Sequence, residues 1–317
     1  MKVFIVGGTG YLGKRIVKDL SYDGTLLISV LYRSEIPNEP QDLPENVYWI
    51  HGDTTSPGNY ENELKEVDIL LYMGGINSPG IETDPQILHK ENVENLSIFI
   101  SCVKKHNPGV FIYLSDVCAL GDTGNLSYDQ PKENEEKYSC NYEKSKHEAL
   151  KIVKASELNT IIAYVGPSYG NNDPGFLWKY MSLAAKGKLK RLVAPYHCFS
   201  PLHIKDLCEG ILQLLIKGED GQEYIICGEP IEFQNIIFLI YGMMKSSQHK
   251  STMTGISATI YSWFSSQYNS EMVKYLCNAS FAYKAYYAKK KLRWSHEMHK
   301  DRIRESFINA GYIKEEN

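Results

Sequence analysis

Three glycines at intervals of three residues stand between the first predicted strand and the first predicted helix. Gly7, Gly10 and Gly13 lie in GGTGYLG, directly after the apolar run KVFIV and before the helical pattern KRIVKDL. Glycine lets a backbone turn tightly and approach a phosphate closely, and the unpaired N–H groups at a helix N-terminus attract an anion. A strand, a glycine loop and a helix in this order are typical of dinucleotide-binding folds.

Strand-like and helix-like segments alternate along the first half of the chain. Helical patterns occupy residues 84–105 and 142–156, and apolar runs predict strands at 2–6, 25–32, 47–50, 68–73, 110–115 and 160–165. Such alternation predicts an α/β fold with a parallel, doubly wound Rossmann sheet and helices on both of its faces.

The pattern changes after residue 166. Loop residues dominate 166–175, helical segments and loops follow, and 223–228 has the pattern of one late strand. We therefore predict that residues 1–165 form the dinucleotide-binding Rossmann domain and that 166–317 form mainly a smaller, mostly helical C-terminal substrate lobe. Residues 199–228 are expected to return to the Rossmann domain, and the lobe is expected to lie over the carboxyl ends of the strands.

Composition narrows the classes of partner. The 317 residues carry a formal net charge of −4, which gives no electrostatic reason to expect nucleic acid or an anionic membrane. The longest apolar run, at 235–244, is too short to cross a bilayer. The seven cysteines are scattered without a CxxC pair, as expected of reduced thiols, and HEMH at 296–299 lacks the spacing of a zinc helix. These features predict a cytoplasmic protein without nucleic acid, membrane or metal as a partner.

Two other groups of residues have a plainer interpretation. The short basic runs at 186–191 and 289–293 are expected to be solvated surface. The aromatic residues of the C-terminal lobe either line an apolar pocket or pack the helices of the lobe. These residues are Tyr261, Trp263, Phe264, Tyr268, Phe281, Tyr283, Tyr286 and Tyr287.

The end of the second predicted strand bears on the choice of cofactor. Rossmann proteins that bind NAD usually have an acidic residue there, which bonds the ribose hydroxyls. This strand ends in VLYRS, so Tyr32 takes the acidic position and Arg33 follows it. A guanidinium binds a 2′-phosphate through two hydrogen bonds, which predicts NADP as the cofactor. In the alternative, NAD is bound and Arg33 is surface charge that stacks on adenine.

Tyr142 and Lys146 are four residues apart in a predicted helix and therefore share one face of it. An ammonium group near a phenol favours the phenolate and lowers the pKa of the tyrosine. Such a tyrosine can pass a proton to or from a carbonyl or alcohol oxygen while hydride moves at the carbon. The alternative is a solvent-exposed pair of residues without a chemical role.

Several motifs in the same order carry a family resemblance. With the glycine loop, HGDTT at 51–55 and YEKSK at 142–146, the chain resembles the extended short-chain dehydrogenase/reductase family of NAD(P)-dependent epimerases and dehydratases. MGG at 73–75 and ENV at 91–93 are similar to further motifs of that family. The resemblance covers nearly the whole chain and looks closest to the branch of the dihydroflavonol reductases and 3β-hydroxysteroid dehydrogenases.

The resemblance implies a role for each matching residue. Asp53 would contact adenine, Tyr142 would be the acid–base group, and Lys146 would bond the nicotinamide ribose. The other implied cofactor contacts lie in the glycine loop and at the end of the fourth strand: Gly7, Thr9, Gly10, Tyr11, Leu12, Gly13, Gly74 and Gly75. The family also implies a homodimer in which the helices at 84–105 and 142–156 of two subunits form a four-helix contact.

Asp116 departs from the family pattern. It stands where the family has a Ser or Thr whose hydroxyl donates to the substrate oxygen. An ionised carboxylate has no proton to donate, and it raises the pKa of a nearby phenol. Either burial keeps Asp116 protonated, or a strand bulge brings Ser115 into its place, or Asp116 is itself an acid–base group. In a fourth hypothesis, the changed site binds the cofactor without turnover.

We therefore predict an NADP-dependent oxidoreductase that transfers hydride between nicotinamide and a carbonyl or secondary alcohol of a small molecule. The expected catalytic residues are Tyr142, Lys146, Asp116 and Ser115. The alternatives are a sugar-nucleotide epimerase or dehydratase with tightly bound NAD, and a regulator that binds NAD(P) without catalysis. Many sugar-nucleotide enzymes of the family have Arg-Pro where this chain has Tyr164 and Val165, which favours the oxidoreductase.

Overall fold

The structure, a computed structural model, describes residues 1–33, 44–124, 126–134, 138–245 and 251–314. Its strands are β1 (Lys2–Val6), β2 (Leu27–Tyr32), β3 (Val47–His51), β4 (Ile69–Tyr72), β5 (Val110–Asp116), β6 (Thr160–Val165), β7 (Ser168–Tyr169), β8 (Arg191–Val193), β9 (Cys198–Phe199), β10 (Leu202–His203), β11 (Glu223–Ile226), β12 (Ile231–Glu232) and β13 (Ser251–Met253). Its α-helices are α1 (Tyr11–Ser21), α2 (Pro85–His89), α3 (Asn95–Val103), α4 (Asn141–Lys154), α5 (Phe176–Ala185), α6 (Ile204–Lys217), α7 (Phe233–Met244), α8 (Gly255–Ser262), α9 (Ser270–Asn278), α10 (Tyr286–Leu292) and α11 (His299–Asn309).

The central sheet confirms the predicted doubly wound fold. Its order is β11–β6–β5–β4–β1–β2–β3, and all neighbouring strands are parallel. Helices cover both faces, so the inner strands are continuous apolar runs, and Phe4, Val30 and Leu70 are fully buried. The direction in which strands are added to the sheet reverses between β1 and β4. At such a switch point of a parallel sheet, a crevice opens outside the carboxyl ends of the strands.

The helix predicted at 84–105 forms with an irregularity. Asp84 is its N-cap, as expected, and accepts a hydrogen bond from the Gln86 backbone N–H at 2.8 Å. A π-helical turn, Lys90–Glu94, separates α2 from α3. The spacing of apolar residues in the sequence did not indicate this turn, because one extra residue in a helical turn shifts the row of apolar side chains only locally.

The π-helical turn places Asn92 in the interior, next to the loop that follows β4. The Asn92 Oδ1 accepts from the Ile76 backbone N–H at 2.7 Å, and its Nδ2 donates to the Ser145 Oγ at 2.9 Å. One buried amide therefore ties the loop after β4 to α4. Removal of this side chain would leave buried donors and acceptors unpaired, which costs about 1–3 kcal/mol for each group.

The second half of the chain contributes to both parts of the molecule. β11 pairs with β6 at the edge of the central sheet, whereas α5 packs on α7 and α8 packs on α9 in the lobe. This placement supports the proposed division, in which residues 1–165 and the returning segment 199–228 form the dinucleotide-binding unit and the rest of 166–317 forms the lobe. Within the described part of the chain, no helix has both the length and the apolar character needed to cross a bilayer.

Candidate active site

Two adjoining cavities open at the carboxyl edge of the sheet, where β1 and β4 meet. The inner cavity has a volume of about 380 Å³ and the outer cavity about 300 Å³. Both are lined by Gly7, Gly10 and Gly75, so together they form one cleft. A dinucleotide consists of two halves joined by a pyrophosphate, and a cleft of two parts joined at backbone glycines fits that shape.

The glycine loop fits a pyrophosphate on steric grounds. Gly7 has a φ of +84°, and a Cβ on it would lie 2.7 Å from the Met73 carbonyl oxygen. A Cβ on Gly13 would collide with the carbonyl oxygen of Gly7. Gly10 is the N-cap of α1 and has no side chain that would cover the first N–H groups of the helix. The loop therefore offers an anion both space and donors at the positive end of α1.

The remaining loop residues lie on opposite sides of the cleft. Tyr11 and Leu12 line the inner cavity, whereas Thr9 lines the outer one. The Tyr11 hydroxyl donates to the Asn171 carbonyl oxygen at 2.7 Å, and burial raises the pKa of Tyr11 to about 12. Tyr11 therefore joins the start of α1 to the loop that begins the lobe.

The outer cavity collects the residues expected at the adenine half of the dinucleotide. It is lined by Thr9, Arg33, Asp53, Gly74 and Gly75. The Arg33 Nη1 lies 3.0 Å from the Glu91 Oε2 and 3.6 Å from the Asp53 Oδ2. The side chain of Arg33 is 61% exposed, and such a surface pair contributes only about 0–1 kcal/mol, so it can open for a ligand. Arg33 thus faces the cleft but is already shared between two carboxylates.

Asp116 and Tyr142 form a direct hydrogen bond in the inner cavity. The Tyr142 hydroxyl donates to the Asp116 Oδ2 at 2.9 Å, and both residues line the cavity. The other carboxyl oxygen, Oδ1, accepts from the Cys118 backbone N–H at 2.9 Å, so Asp116 caps the 3-10 helix Val117–Leu120. The carboxyl group is therefore held from two sides, by the phenol and by the backbone.

The start of α4 positions Tyr142. The Asn141 backbone N–H donates at 2.8 Å to the Oε2 of Glu271, a buried residue of α9 in the lobe. Glu143 is also buried, and it accepts hydrogen bonds from both the backbone N–H and the hydroxyl of Ser139. Burial raises the pKa of Glu143 to about 7. Two carboxyl groups thus anchor the first turn of α4, close to the positive end of its helix dipole.

Lys146 lies one turn beyond Tyr142 and is buried. Its Nζ donates to the Asn77 Oδ1 at 2.6 Å and lies 5.7 Å from the centroid of the Tyr142 ring. Burial lowers the pKa of Lys146, and the Asp116 carboxyl group opposes that effect. Asn77 lines both cavities, so Lys146 borders the cleft at the point where the two cavities join.

Burial dominates the protonation of the pair. It raises the pKa of Asp116, against the Cys118 N–H and the charge of Lys146, which lower it. Burial also raises the pKa of Tyr142 well above 10, and Asp116 adds to this effect. The expected acidification of Tyr142 by Lys146 is therefore outweighed in this structure, because both acids are driven toward their protonated forms. A protonated Asp116 can donate a hydrogen bond as a Ser or Thr would.

Ser115 does not replace Asp116. The register of β5 on β6 is regular to its end, with Ser115 opposite Tyr164 and Asp116 opposite Val165. The hypothesis of a bulge that exchanges the two residues is therefore wrong, since neighbouring side chains of a regular strand point to opposite faces. Ser115 does line the inner cavity, and its buried Oγ has no hydrogen-bond partner among the described residues.

Five polar residues of the inner cavity escaped the sequence analysis: Asn77, Ser78, Ser168, Asp173 and Tyr275. Asn77 comes two residues after MGG, and its position beyond a strand end was a usable signal. Asp173 is buried in the loop after β7, where its carboxyl oxygens accept from the Ser168 Oγ and the Gly175 N–H, each at 2.7 Å. Tyr275 belongs to α9, and no local pattern marks it, because the lobe brings it to the site.

The ring of Tyr275 lies edge-on to that of Tyr142, with the centroids 6.2 Å apart. The hydroxyl of Tyr275 is buried and has no partner among the described residues. None of the eight aromatic residues that the sequence suggested for an apolar pocket lines the inner cavity. Tyr268, Phe281 and Tyr283 are buried in the lobe instead, as the packing interpretation expects.

One group of metal-binding residue types is present in the described ranges, but it lies outside the cleft. It consists of Glu61, Cys102 and His106, none of which lines either cavity. The Glu61 Oε1 lies 3.2 Å from the His106 Nε2 and 3.7 Å from the Lys105 Nζ. The Lys105 ammonium already balances the Glu61 carboxylate, and the absence of a metal stays a prediction.

Two curated relatives match most of the chain. It is 25% identical over 271 residues to a putative dihydroflavonol 4-reductase of Synechocystis sp., a match that covers 80% of this chain and 73% of that protein. It is 20% identical over 245 residues to the 4-hydroxy-2-methyl-3-oxo-4-farnesyl-3,4-dihydroquinoline-1-oxide ketoreductase of Stigmatella aurantiaca, covering 76% and 72% of the two chains.

A solved structure shares the fold. The UDP-glucuronic acid 4-epimerase of Bacillus cereus, crystallised with UDP-glucuronic acid and NAD, superposes with a TM-score of 0.77. The match covers 98% of this chain and 99% of that one at 14% identity, which establishes the fold alone.

A family model decides the classification. Residues 3–227 match the NAD dependent epimerase/dehydratase family, which amounts to more than half of the chain. The prediction of an NAD(P)-dependent enzyme of the extended short-chain dehydrogenase type is confirmed by this match. The chain belongs to the NAD-dependent epimerase/dehydratase family.

Proposed function

We propose that the protein is an NADP-dependent oxidoreductase that transfers hydride between nicotinamide and a carbonyl or secondary alcohol of an uncharged, largely apolar small molecule. The observation that carries this proposal is the hydrogen bond from Tyr142 to Asp116 inside a cavity that continues into the glycine loop. An acid–base group and a cradle for a dinucleotide then share one cleft, which is what a coupled transfer of hydride and proton requires.

The reaction divides between the cofactor and the side chains. When bound, the nicotinamide supplies or accepts hydride at the substrate carbon. Tyr142 gives its hydroxyl proton to the carbonyl oxygen as the alcohol forms, or takes it back in the reverse direction. Asp116 can replace that proton, since its Oδ2 is 2.9 Å from the Tyr142 hydroxyl. Burial raises the pKa of Asp116, so a protonated Asp116 can return a proton to Tyr142.

The charge of Lys146 supports this transfer. When Tyr142 has given up its proton, the pair with Asp116 carries a negative charge in a buried place. The Lys146 Nζ, 5.7 Å from the Tyr142 ring, favours that charged form, as its lowering of the pKa of Asp116 indicates. The Lys146 ammonium donates to Asn77, which lies where the two cavities meet. Once Lys146 leaves Asn77, it would therefore be close enough to that junction to bond the nicotinamide ribose.

The wall of the inner cavity supports an uncharged substrate. Its larger apolar side chains are Leu12, Met73, Ile76, Ile81, Leu114, Val165, Phe176 and Leu207. The charged types in its described lining are two acids, Asp116 and Asp173, with no lysine, arginine or histidine. A diphosphate placed there would lose its hydration without a cation in return, which costs several kcal/mol. This disfavours a sugar nucleotide, and the two relatives named as reductases agree with reductase chemistry.

The cofactor preference rests on Arg33. No carboxylate ends β2 to repel a 2′-phosphate, because Tyr32 stands there, and Arg33 faces the outer cavity. To bind the phosphate, Arg33 has to leave Glu91, which it holds at 3.0 Å. We therefore propose that the site accepts both dinucleotides and that its preference for NADP is modest.

Location and assembly complete the proposal. All seven cysteines are unpaired, which supports a cytosolic, reducing compartment.

A homodimer through α2, α3 and α4 is proposed from the family resemblance. α2 and α4 lie side by side, with the His89 Nδ1 3.0 Å from the Glu148 Oε2, and a groove of about 590 Å³ opens beside them. Sedimentation equilibrium of the purified chain measures whether its mass doubles.

Assays with the purified protein test the proposed activity. We expect NADPH to be oxidised in the presence of some members of a panel of uncharged aromatic and aliphatic ketones, followed by the absorbance of the reduced nicotinamide. UDP-sugars and dTDP-sugars in the same panel should be inert. Release of NAD on denaturation, together with conversion of a nucleotide sugar, would instead establish an epimerase or dehydratase. Binding of NADPH without turnover of any compound would favour a regulator.

A further inference from the structure

Four large apolar side chains on α8 and in the turn that follows it are exposed to solvent, and we call them the α8 stripe. Their exposed fractions are 81% for Ile256, 48% for Ile260, 69% for Trp263 and 84% for Phe264. Ile256 and Ile260 are four residues apart and lie on one side of α8, opposite the buried Ala258, and Trp263 and Phe264 lie in the turn that directly follows the helix. Single exposed apolar residues are ordinary, but a contiguous stripe of this kind marks a contact surface.

A group of basic residues lies beside the α8 stripe. We call it the basic turn, and it consists of Lys186, Lys188, Lys190 and Arg191. Gln267, three residues after Phe264, holds it in place: its Nε2 donates to the Lys188 carbonyl oxygen at 2.9 Å, and its Oε1 accepts from the Lys190 N–H at 3.3 Å. The Arg191 guanidinium lies 5.5 Å from the centroid of the Tyr261 ring on α8. The three lysines are exposed.

The charge around these two features differs from that of the whole chain. Residues 174–200 contain five lysines and arginines and no aspartate or glutamate. Residues 233–270 contain two lysines and again no acidic residue. These two segments meet where β8 pairs with β13. The net charge of −4, from which the sequence analysis expected no membrane partner, therefore conceals a positive region of the lobe.

We propose that the α8 stripe and the basic turn together form a docking site for an anionic phospholipid bilayer, on which the protein lies peripherally. Tryptophan, phenylalanine and isoleucine on one side of a helix insert at the level of the headgroups, and neighbouring lysines attract anionic lipids. The site needs no spanning segment. It goes beyond the proposed oxidoreductase function and does not depend on it.

The charge beside the stripe, rather than its area, favours a bilayer over a protein partner. At about 200 Å² for each fully exposed large side chain, its four members offer roughly 600 Å² of apolar surface. A protein–protein interface of standard size buries about 800 Å² on each partner, of which somewhat more than half is apolar, so the area alone fits either kind of partner. The exposed lysines of the basic turn favour a surface of uniform negative charge, as anionic headgroups present it, and their attraction adds to partial insertion of the stripe.

Co-sedimentation with vesicles tests the proposal. The full chain should bind vesicles of equimolar phosphatidylcholine and phosphatidylglycerol at low salt, bind pure phosphatidylcholine far less, and dissociate at high salt. The double substitution Trp263→Ala with Phe264→Ala should weaken binding at least about tenfold. The triple substitution Lys186→Gln, Lys188→Gln and Lys190→Gln should weaken it by about a hundredfold.

A matched control separates this effect from general surface hydrophobicity. Ile216 on α6 is 74% exposed, and Ile216→Ala should leave vesicle binding unchanged. Because the substituted side chains are exposed, far-ultraviolet circular dichroism and NADPH affinity should be the same for all variants. Failure of the natural chain to bind the mixed vesicles, or equal binding by the Trp263/Phe264 variant, overturns the proposal. So does self-association without lipid that the same variant abolishes, since the stripe would then contact a second copy.

Discussion

The hydrogen bond between Tyr142 and Asp116 predicts that the two side chains are energetically coupled. Tyr142→Phe removes the donor, and Asp116→Leu removes the acceptor with a side chain of similar size. A buried polar group that loses its hydrogen-bond partner costs about 1–3 kcal/mol. At the observed 2.9 Å, and with both groups buried, Tyr142→Phe in the natural chain should lower the free energy of unfolding by about 2 kcal/mol.

The same substitution should act differently when Asp116 is absent. In the Asp116→Leu background, the Tyr142 hydroxyl is a buried polar group that has lost this partner, so its removal should be neutral or stabilising. The coupling energy of the pair is then at least about 2 kcal/mol. This value needs no substrate or cofactor, so it tests the geometry of the site independently of the proposed activity.

Urea unfolding of the natural chain, the two single variants and the double variant measures this coupling, with tryptophan fluorescence as the signal. The slopes with urea should be equal, so that the midpoints report stability. As a control, Tyr142→Phe combined with Ile16→Val, in the buried face of α1, should be additive. A coupling below about 0.5 kcal/mol between Tyr142 and Asp116 would refute the reasoning, since that is the scatter of independent sites.

Three further predictions concern the surroundings of this pair. Burial raises the pKa of Glu143 from 4.5 to about 7, because the folded chain favours the neutral carboxyl group. The stabilisation that comes from the neutral form is therefore complete below pH 4.5 and is lost as the pH rises through 7. Glu143→Gln should therefore raise the free energy of unfolding by up to about 3 kcal/mol above pH 7 and by little below pH 4.5. If the stabilities of the natural chain and the variant, measured by urea unfolding, differ by the same amount at every pH, this expectation is wrong. Gly13→Ala places a Cβ against the Gly7 carbonyl and should weaken NADPH binding at least about tenfold by calorimetry, whereas Gly24→Ala, with open space around its Cβ, should not. Arg33→Ala should weaken NADPH binding about tenfold and leave NADH binding unchanged; equal losses would show that Arg33 does not bind the 2′-phosphate.

The fold could be predicted because its signals are local. Each inner strand is a short continuous apolar run, and the glycine loop marks the join between β1 and α1 by residue type alone. The π-helical turn at Lys90–Glu94 could not be predicted in this way, because it is stabilised by contacts of Asn92 with residues distant in the sequence, at Ile76 and Ser145.

The candidate site was predictable only where its residues follow motifs. The spacing of Tyr142 and Lys146 on a helix, and the unusual identity of Asp116, were visible in the sequence. The partner of Lys146, Asn77, and the contact of Tyr275 with the cavity depend on how separate elements pack. Protonation also depends on the fold: the spacing favoured an acidified tyrosine, whereas burial raises the pKa of both acids.

The turnover of Tyr142→Phe tests the central claim most directly, namely that the Tyr142 hydroxyl moves the proton beside a bound dinucleotide. With the best ketone of the panel at saturation, kcat should fall by about 10²–10⁴-fold, the usual contribution of a general acid. The Kd for NADPH should change by less than about twofold, because the glycine loop holds the dinucleotide, and the exposed control Tyr22→Phe should be fully active. Full turnover by Tyr142→Phe would contradict the account.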